Sequence, residues 1–83
     1  MKVRQTRQTV IDIEHEMETR STIYAVAVEQ FGKWLMLIYH RNDEMLVVEA
    51  ISQHDNTTDC VNQFRQWLSI PSGLKEERIT ELL

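Results

Sequence analysis

One cysteine, one proline and two glycines are all that the 83 residues hold of the types that staple, break or loosen a chain. A lone Cys60 cannot close an internal disulfide, so a disulfide scaffold is excluded and a cytoplasmic setting is the default expectation. So little glycine and proline leaves no room for a long flexible linker, and no repeat or low-complexity tract is visible. No apolar run approaches the ~18 residues of a membrane span. No apolar signal core follows the basic start Met1-Lys2-Val3-Arg4-Gln5-Thr6-Arg7. Also missing are a glycine-rich phosphate loop, a His-x-x-x-His pair and a Cys-x-x-Cys pair. Remaining is a single α+β domain over residues 1–83, with residues 1–8 as a basic tip, ordered or disordered. Its apolar content of 42% and charged content of 27% suit a globular protein.

The net charge of −4 is unevenly placed. Lys2, Arg4 and Arg7 give the first eight residues +3, whereas Asp12, Glu14, Glu16 and Glu18 against Arg20 give residues 9–20 −3. Residues 43–59 add −5 through Asp43, Glu44, Glu49, Asp55 and Asp59. An acidic domain repels the phosphate backbone that supplies most nucleic-acid affinity, so direct nucleic-acid binding is disfavoured.

Trp34-Leu-Met-Leu-Ile-Tyr39 is the most apolar run, and its bounds at Gly32-Lys33 and His40-Arg41-Asn42-Asp43 make it a strand, expected to be buried on both faces. Residues 9–19 alternate with period two. Ile11, Ile13, His15 and Met17 take one side, and Asp12, Glu14, Glu16 and Glu18 the other. Their β-branched residues favour a strand, with a helix bearing Val10, Ile13 and Met17 on one stripe as the rival. Thr22 to Gln30 is a second strand, Phe31-Gly32 a hairpin turn, Asn42-Asp43 another, and Glu44 to Ser52 a fourth strand. Thr57 or Thr58 is placed to cap a helix whose Cys60, Phe64, Trp67 and Leu68 share a stripe. Ile70-Pro71-Ser72-Gly73 ends it, and a last helix is expected over Leu74 to Leu83. The fold class is thus α+β, a four-stranded antiparallel meander with two C-terminal helices on one face.

Two-residue hairpin loops would put Tyr24, Val26, Val28, Leu35, Leu37, Tyr39, Leu46, Val48 and Ala50 on one face. Free of charge, that face is expected to be the core. The other would carry Ile23, Ala25, Ala27, Glu29, Trp34, Met36, Ile38, His40, Met45, Val47, Glu49 and Ile51, apolar in its middle and charged at its edges. Two short helices cover one face of a sheet, so the Trp34 side is expected to meet a second copy or another protein. The plain alternative is that the N-terminal segment folds back over it.

Among candidate chemistries, Asp12, Glu14, Glu16 and Glu18 on one strand face would stand ~6.8 Å apart, close to the ~7 Å phosphate spacing of a nucleic-acid strand. Such a ladder could enter the basic groove of a nucleic-acid enzyme; a solvated strand face, or an edge defended against aggregation, explains it as well. Cys60 near a helix start, with His54 and Asp55 upstream, could suggest a thiol enzyme, but it also begins the helix's apolar stripe and fits a core position. His15, His40 and His54 are too scattered for a local metal site. Acidic pairs such as Glu76-Glu77 lack an apolar pocket. No catalytic, cofactor or metal residue is assigned, and no enzyme, small-molecule substrate or membrane partner is expected. The partner-binding set is Asp12, Glu14, Glu16, Glu18, Trp34, Met36, Ile38 and Met45.

The order of parts is similar to the smallest phage-encoded anti-CRISPR proteins of the type I-F class. The residues concerned are Tyr24-Ala-Val-Ala-Val before a glycine-containing turn, and Gln66-Trp67-Leu68-Ser69-Ile70-Pro71-Ser72-Gly73-Leu74 joining two closing helices. The likeness covers roughly residues 22–83 and leaves out the acidic ladder. It implies a non-enzymatic inhibitor, of phage or mobile-element origin, that binds a CRISPR surveillance complex and blocks its contact with guide-paired DNA. Were residues 9–19 a helix, the first five elements would instead match a double-stranded-RNA-binding domain. Thr57-Thr58-Asp59-Cys60 then stands where that fold carries a basic helix start, which counts against it.

Overall fold

The computed structural model describes residues 1–70 as five strands followed by one helix. β1 spans Lys2–Arg7, β2 Val10–Glu16, β3 Thr22–Gln30, β4 Lys33–Asn42, β5 Met45–His54 and α1 Thr57–Ser69. Each strand pairs antiparallel with the next, so the spatial order is β1-β2-β3-β4-β5. The α+β class and the antiparallel meander agree with the sequence reading, but the sheet has five strands, not four. The basic tip supplies the fifth. Lys2 and Arg4 of β1 stand opposite Glu14 and Asp12 of β2, and opposite charges across a strand pair favour the pairing. The second helix expected over Leu74–Leu83 lies outside the described residues.

β2 resolves the strand-or-helix question for residues 9–19. Ile11 and Ile13 are buried while Asp12 and Glu14 between them turn the other way, half-buried. With a strand here, the helix-first order falls, and the double-stranded-RNA-binding comparison with it. Glu18 lies past the end of β2, in the turn that Met17 and Ser21 close by a 2.7 Å backbone hydrogen bond.

Phe31 and Gly32 close the β3–β4 hairpin as expected, with φ of +55° and +78°. Both angles are positive, the backbone of a type I′ turn, whose twist suits right-twisted strands. The Gly32 amide also donates to Glu29 Oε1 at 2.9 Å. The β4–β5 loop is Asp43-Glu44, one residue later than expected, with Asp43 at φ +56°. The later turn pairs Tyr39 with Val48 rather than Leu46, a shift of two that leaves the facing of side chains unchanged. Further along, a bulge breaks the register: Tyr39 pairs with Val48 but Ile38 with Ala50. The extra residue, Glu49, reverses the alternation beyond it. Ala50 therefore turns to the side opposite Val48, and Ile51 joins Val48; the sequence reading had these two the other way round.

α1 is capped by Asn56, not by Thr57 or Thr58. Asn56 has extended backbone, and its side-chain oxygen accepts the Asp59 amide at 2.8 Å. That satisfies one of the free N–H groups of the first turn. Asp59 sits in this turn, where the helix dipole favours a carboxylate. The buried stripe is Cys60, Phe64 and Trp67, with Val61 and Leu68 packed beside it. Phe64 and Trp67 stack at 6.5 Å between ring centres.

α1 lies over β3, β4 and β5, on the side the sequence reading left open. The core is Ile11, Ile13, Ile23, Ala25, Ala27, Trp34, Met36 and Ile38 under Cys60, Phe64 and Trp67. The physical reason is in β2. Its register puts Ile11 opposite Ala27 and Ile13 opposite Ala25, so the apolar side of β2 extends the Trp34 face. Its carboxylates fall on the face of Tyr24, Val26 and Val28. Ala25 and Ala27 also leave a hollow that large helix side chains can enter. Nor is β4 buried on both sides: Leu35 is 47% exposed while Met36 beside it is fully enclosed.

Candidate functional site

The surface left uncovered by α1 is the far face of the sheet. Three rows of paired residues cross it from β3 to β5: Val28–Leu35–Gln53, Val26–Leu37–Ile51 and Tyr24–Tyr39–Val48. None of these nine is charged. Val28, Leu35, Val48 and Ile51 are exposed, as is Leu46 one row further on. Tyr24 and Tyr39 stack, with ring centres 5.5 Å apart and planes 18° off parallel.

Two of the rows continue into β2 and β1 and change character. Val26 faces Asp12, which faces Arg4; Tyr24 faces Glu14, which faces Lys2. The open face is thus an apolar field over β3–β5 beside a flank where acid and base alternate. A cavity of about 220 Å³ at their junction is lined by Lys2, Arg4, Asp12, Glu14, Tyr24 and Tyr39. Burial raises the Tyr39 phenol above its ordinary 10; Asp12 and Tyr24 push the same way and Arg41 partly opposes. The neutral phenol, able to donate a hydrogen bond, is therefore the resident form.

The residues expected to bind a partner are divided by the fold. Trp34, Met36 and Ile38 are core residues under α1 and offer no surface while the helix is in place. Met45 is exposed at the start of β5. Asp12, Glu14 and Glu16 share the open face, but Glu18 leaves the ladder, and Asp12 and Glu14 each have a base opposite. The surface so formed is mixed in sign, unlike a run of phosphates. What the sequence reading missed is the apolar field itself, which it assigned to the interior. The alternation of β2 was the available signal, because the buried side of β2 must be the buried side of the sheet.

The other candidates resolve individually. Cys60 is fully buried, and its thiol is pushed above its ordinary value, first by loss of water and then by Asp59. A raised pKa disfavours the thiolate a nucleophile needs. His54 Nε2 lies 2.7 Å from Ser52 Oγ, and Asp55 pairs with Lys33, so neither is joined to Cys60 as a catalytic set. His40 is enclosed on the helix side, its Nδ1 3.2 Å from Glu49 Oε1 at the bulge. Among the described residues, no group of three or more His, Cys, Asp or Glu is placed to hold a metal ion. Among them too, no helix is long and apolar enough to cross a membrane. Beside α1, a groove of about 370 Å³ runs over β1 and β2, lined by Val3, Gln5, Ile11, Thr57, Val61 and Arg65 among others.

In comparisons with protein-family models, with curated proteins and with solved structures, the chain matches none.

Proposed function

We propose that this protein is a non-enzymatic binding module that holds a protein partner on the open face of its sheet. The observation that carries the reading is the apolar field over β3–β5, bounded by Arg41 beside Leu46, where Val28, Leu35, Leu46, Val48 and Ile51 are each between 42% and 66% exposed. Isolated monomers seldom leave so many adjacent apolar side chains in water unless something binds there. An apolar centre beside a charged margin is also how protein interfaces are built. Asp12, Glu14, Glu16 and Met45 border the field and serve as the margin. The anti-CRISPR-like inhibitor is the specific form of this reading: a small phage or mobile-element protein that covers a working surface of a larger complex. A reducing, cytoplasmic compartment suits the single buried thiol.

The test is a pull-down comparing the wild type with Leu35→Lys/Ile51→Lys, two changes at exposed positions that spare the core. A stoichiometric partner held by the wild type and lost by the variant is the expected result. Identical recovery by both proteins overturns the reading. Glu14→Lys/Glu16→Lys should weaken a basic partner about tenfold, at roughly 0.7 kcal/mol for each charge at an interface margin. Unchanged affinity removes the acidic residues from the site.

A further inference from the structure

We propose that the occupant of the open face is a second copy of this chain, packed sheet to sheet about a twofold axis that runs along β4. The proposal rests on the reading of that face as a binding surface and names what it binds.

The first support is area. At ordinary side-chain areas, the field over β3–β5 leaves roughly 600–700 Å² in water, above the usual largest patch of a monomer and near the ~800 Å² each partner contributes to a standard interface. The second is charge, which also selects the axis. A twofold between two facing sheets must lie in the plane between them. If it ran across the strands, the β2 carboxylates Asp12, Glu14 and Glu16 would lie over their own copies, a like-charge contact. If it ran along β3, Asp12 and Glu14 would be pressed onto Leu37 and Tyr39 of the other copy and lose water without a basic partner. If it ran along β5, much of the field would stay uncovered. Along β4, β3 of each copy meets β5 of the other and β4 meets β4. The acid–base flank then falls outside on both sides, in solvent. Of these placements, only this one covers the apolar field without burying a carboxylate; Lys33 and Arg41, which bound Leu35, Leu37 and Tyr39 on the same side of β4, then meet their own copies at the two ends of the contact.

The arrangement is a four-layer particle, helix–sheet–sheet–helix, with Leu37 of one copy facing Leu37 of the other. Sheets packed face to face stand about 10 Å apart. A Leu37→Cys chain should therefore be joined to its mate by a bis-maleimide of ~10 Å span. A Lys2→Cys chain, ~14 Å from the axis on either side, should not. Cys60 is fully buried and gives no background in the folded protein.

Sedimentation equilibrium over about 1–100 µM should return twice the 9.9 kDa chain mass at the upper end. Leu35→Lys/Ile51→Lys should weaken association about 100-fold or more, by placing charges in an apolar centre. The proposal is overturned by a monomer throughout that range, by a dimer indifferent to the two lysines, or by linkage at Lys2 in preference to Leu37. Should the double-lysine chain not fold, Leu37→Cys linkage in the otherwise native chain decides. A monomer that still holds a lysine-sensitive foreign partner sinks the self-pairing alone. A monomer with no such partner sinks the binding reading as well.

Discussion

The two faces of the sheet are both apolar, yet among the described residues one is roofed and the other is not, and the contrast lies in contour and neighbours. On the roofed side, Ala25 and Ala27 form a depression bordered by Ile23, Trp34, Met36 and Ile38, and Phe64 and Trp67 close over it. On the open side, Val26, Val28, Leu35 and Leu37 stand in paired rows beside the stacked Tyr24 and Tyr39 with no alanine among them, and the Asp12–Arg4 and Glu14–Lys2 flank lies next to them. A single helix seats in a hollow, whereas paired rows of branched and aromatic side chains suit another sheet, whose inner-face side chains interdigitate with them. The strand that ranks the faces is β2, because it alone sorts apolar from charged residues cleanly.

The contrast is broken most severely from the roofed side. Phe64→Ala should cost about 3–5 kcal/mol in urea unfolding, since a fully buried ring leaves a cavity. Leu35→Ala, measured in dilute solution, should cost under ~1 kcal/mol, as exposed substitutions do. Equal losses from the two would mean that the open face is as deeply packed as the core. Glu49→Ala tests the bulge that sends Ala50 and Ile51 to opposite faces. It should cost about 1–3 kcal/mol, because enclosed His40 loses the carboxylate beside Nδ1; a loss within error would show that the pair is dispensable. The smallest effect sharpens the description of the open face. The folded-state pKa of Tyr39 is raised, so its stabilisation is complete below the unfolded value of about 10 and is lost as pH climbs through the folded value. Tyr39→Phe should therefore flatten the fall of stability above about pH 10, relative to the wild type. An unchanged alkaline profile would place the phenol in ordinary solvent.

Much of the fold was legible in the sequence. Strands over residues 9–19, 22–30, 34–39 and 44–52, the Phe31-Gly32 turn and the apolar stripe of α1 follow from periodicity and turn chemistry; the structure sets the strand bounds at 10–16, 22–30, 33–42 and 45–54. β1 was not legible, because Lys2–Arg7 has almost no apolar pattern. It pairs through backbone and cross-strand charge, and all six of its residues are exposed. The bulge was hidden for another reason: one inserted residue leaves local composition unchanged and shows only in register. The choice of roofed face was recoverable in principle. Absence of charge is a weak sign of a core here, because β4 and β5 carry little charge on either side. The decisive information was whose isoleucines line up with Ala25 and Ala27.

Because the strand order is β1-β2-β3-β4-β5, β1 is the edge strand whose only sheet partner among the described residues is β2. Loss of the first seven residues would uncover the outer rim of β2 and remove the bases facing Asp12 and Glu14, while the hydrogen bonds from β2 through β5 stayed whole. Cleavage near Gln8 followed by release of β1 would then leave Asp12 and Glu14 without the bases that face them.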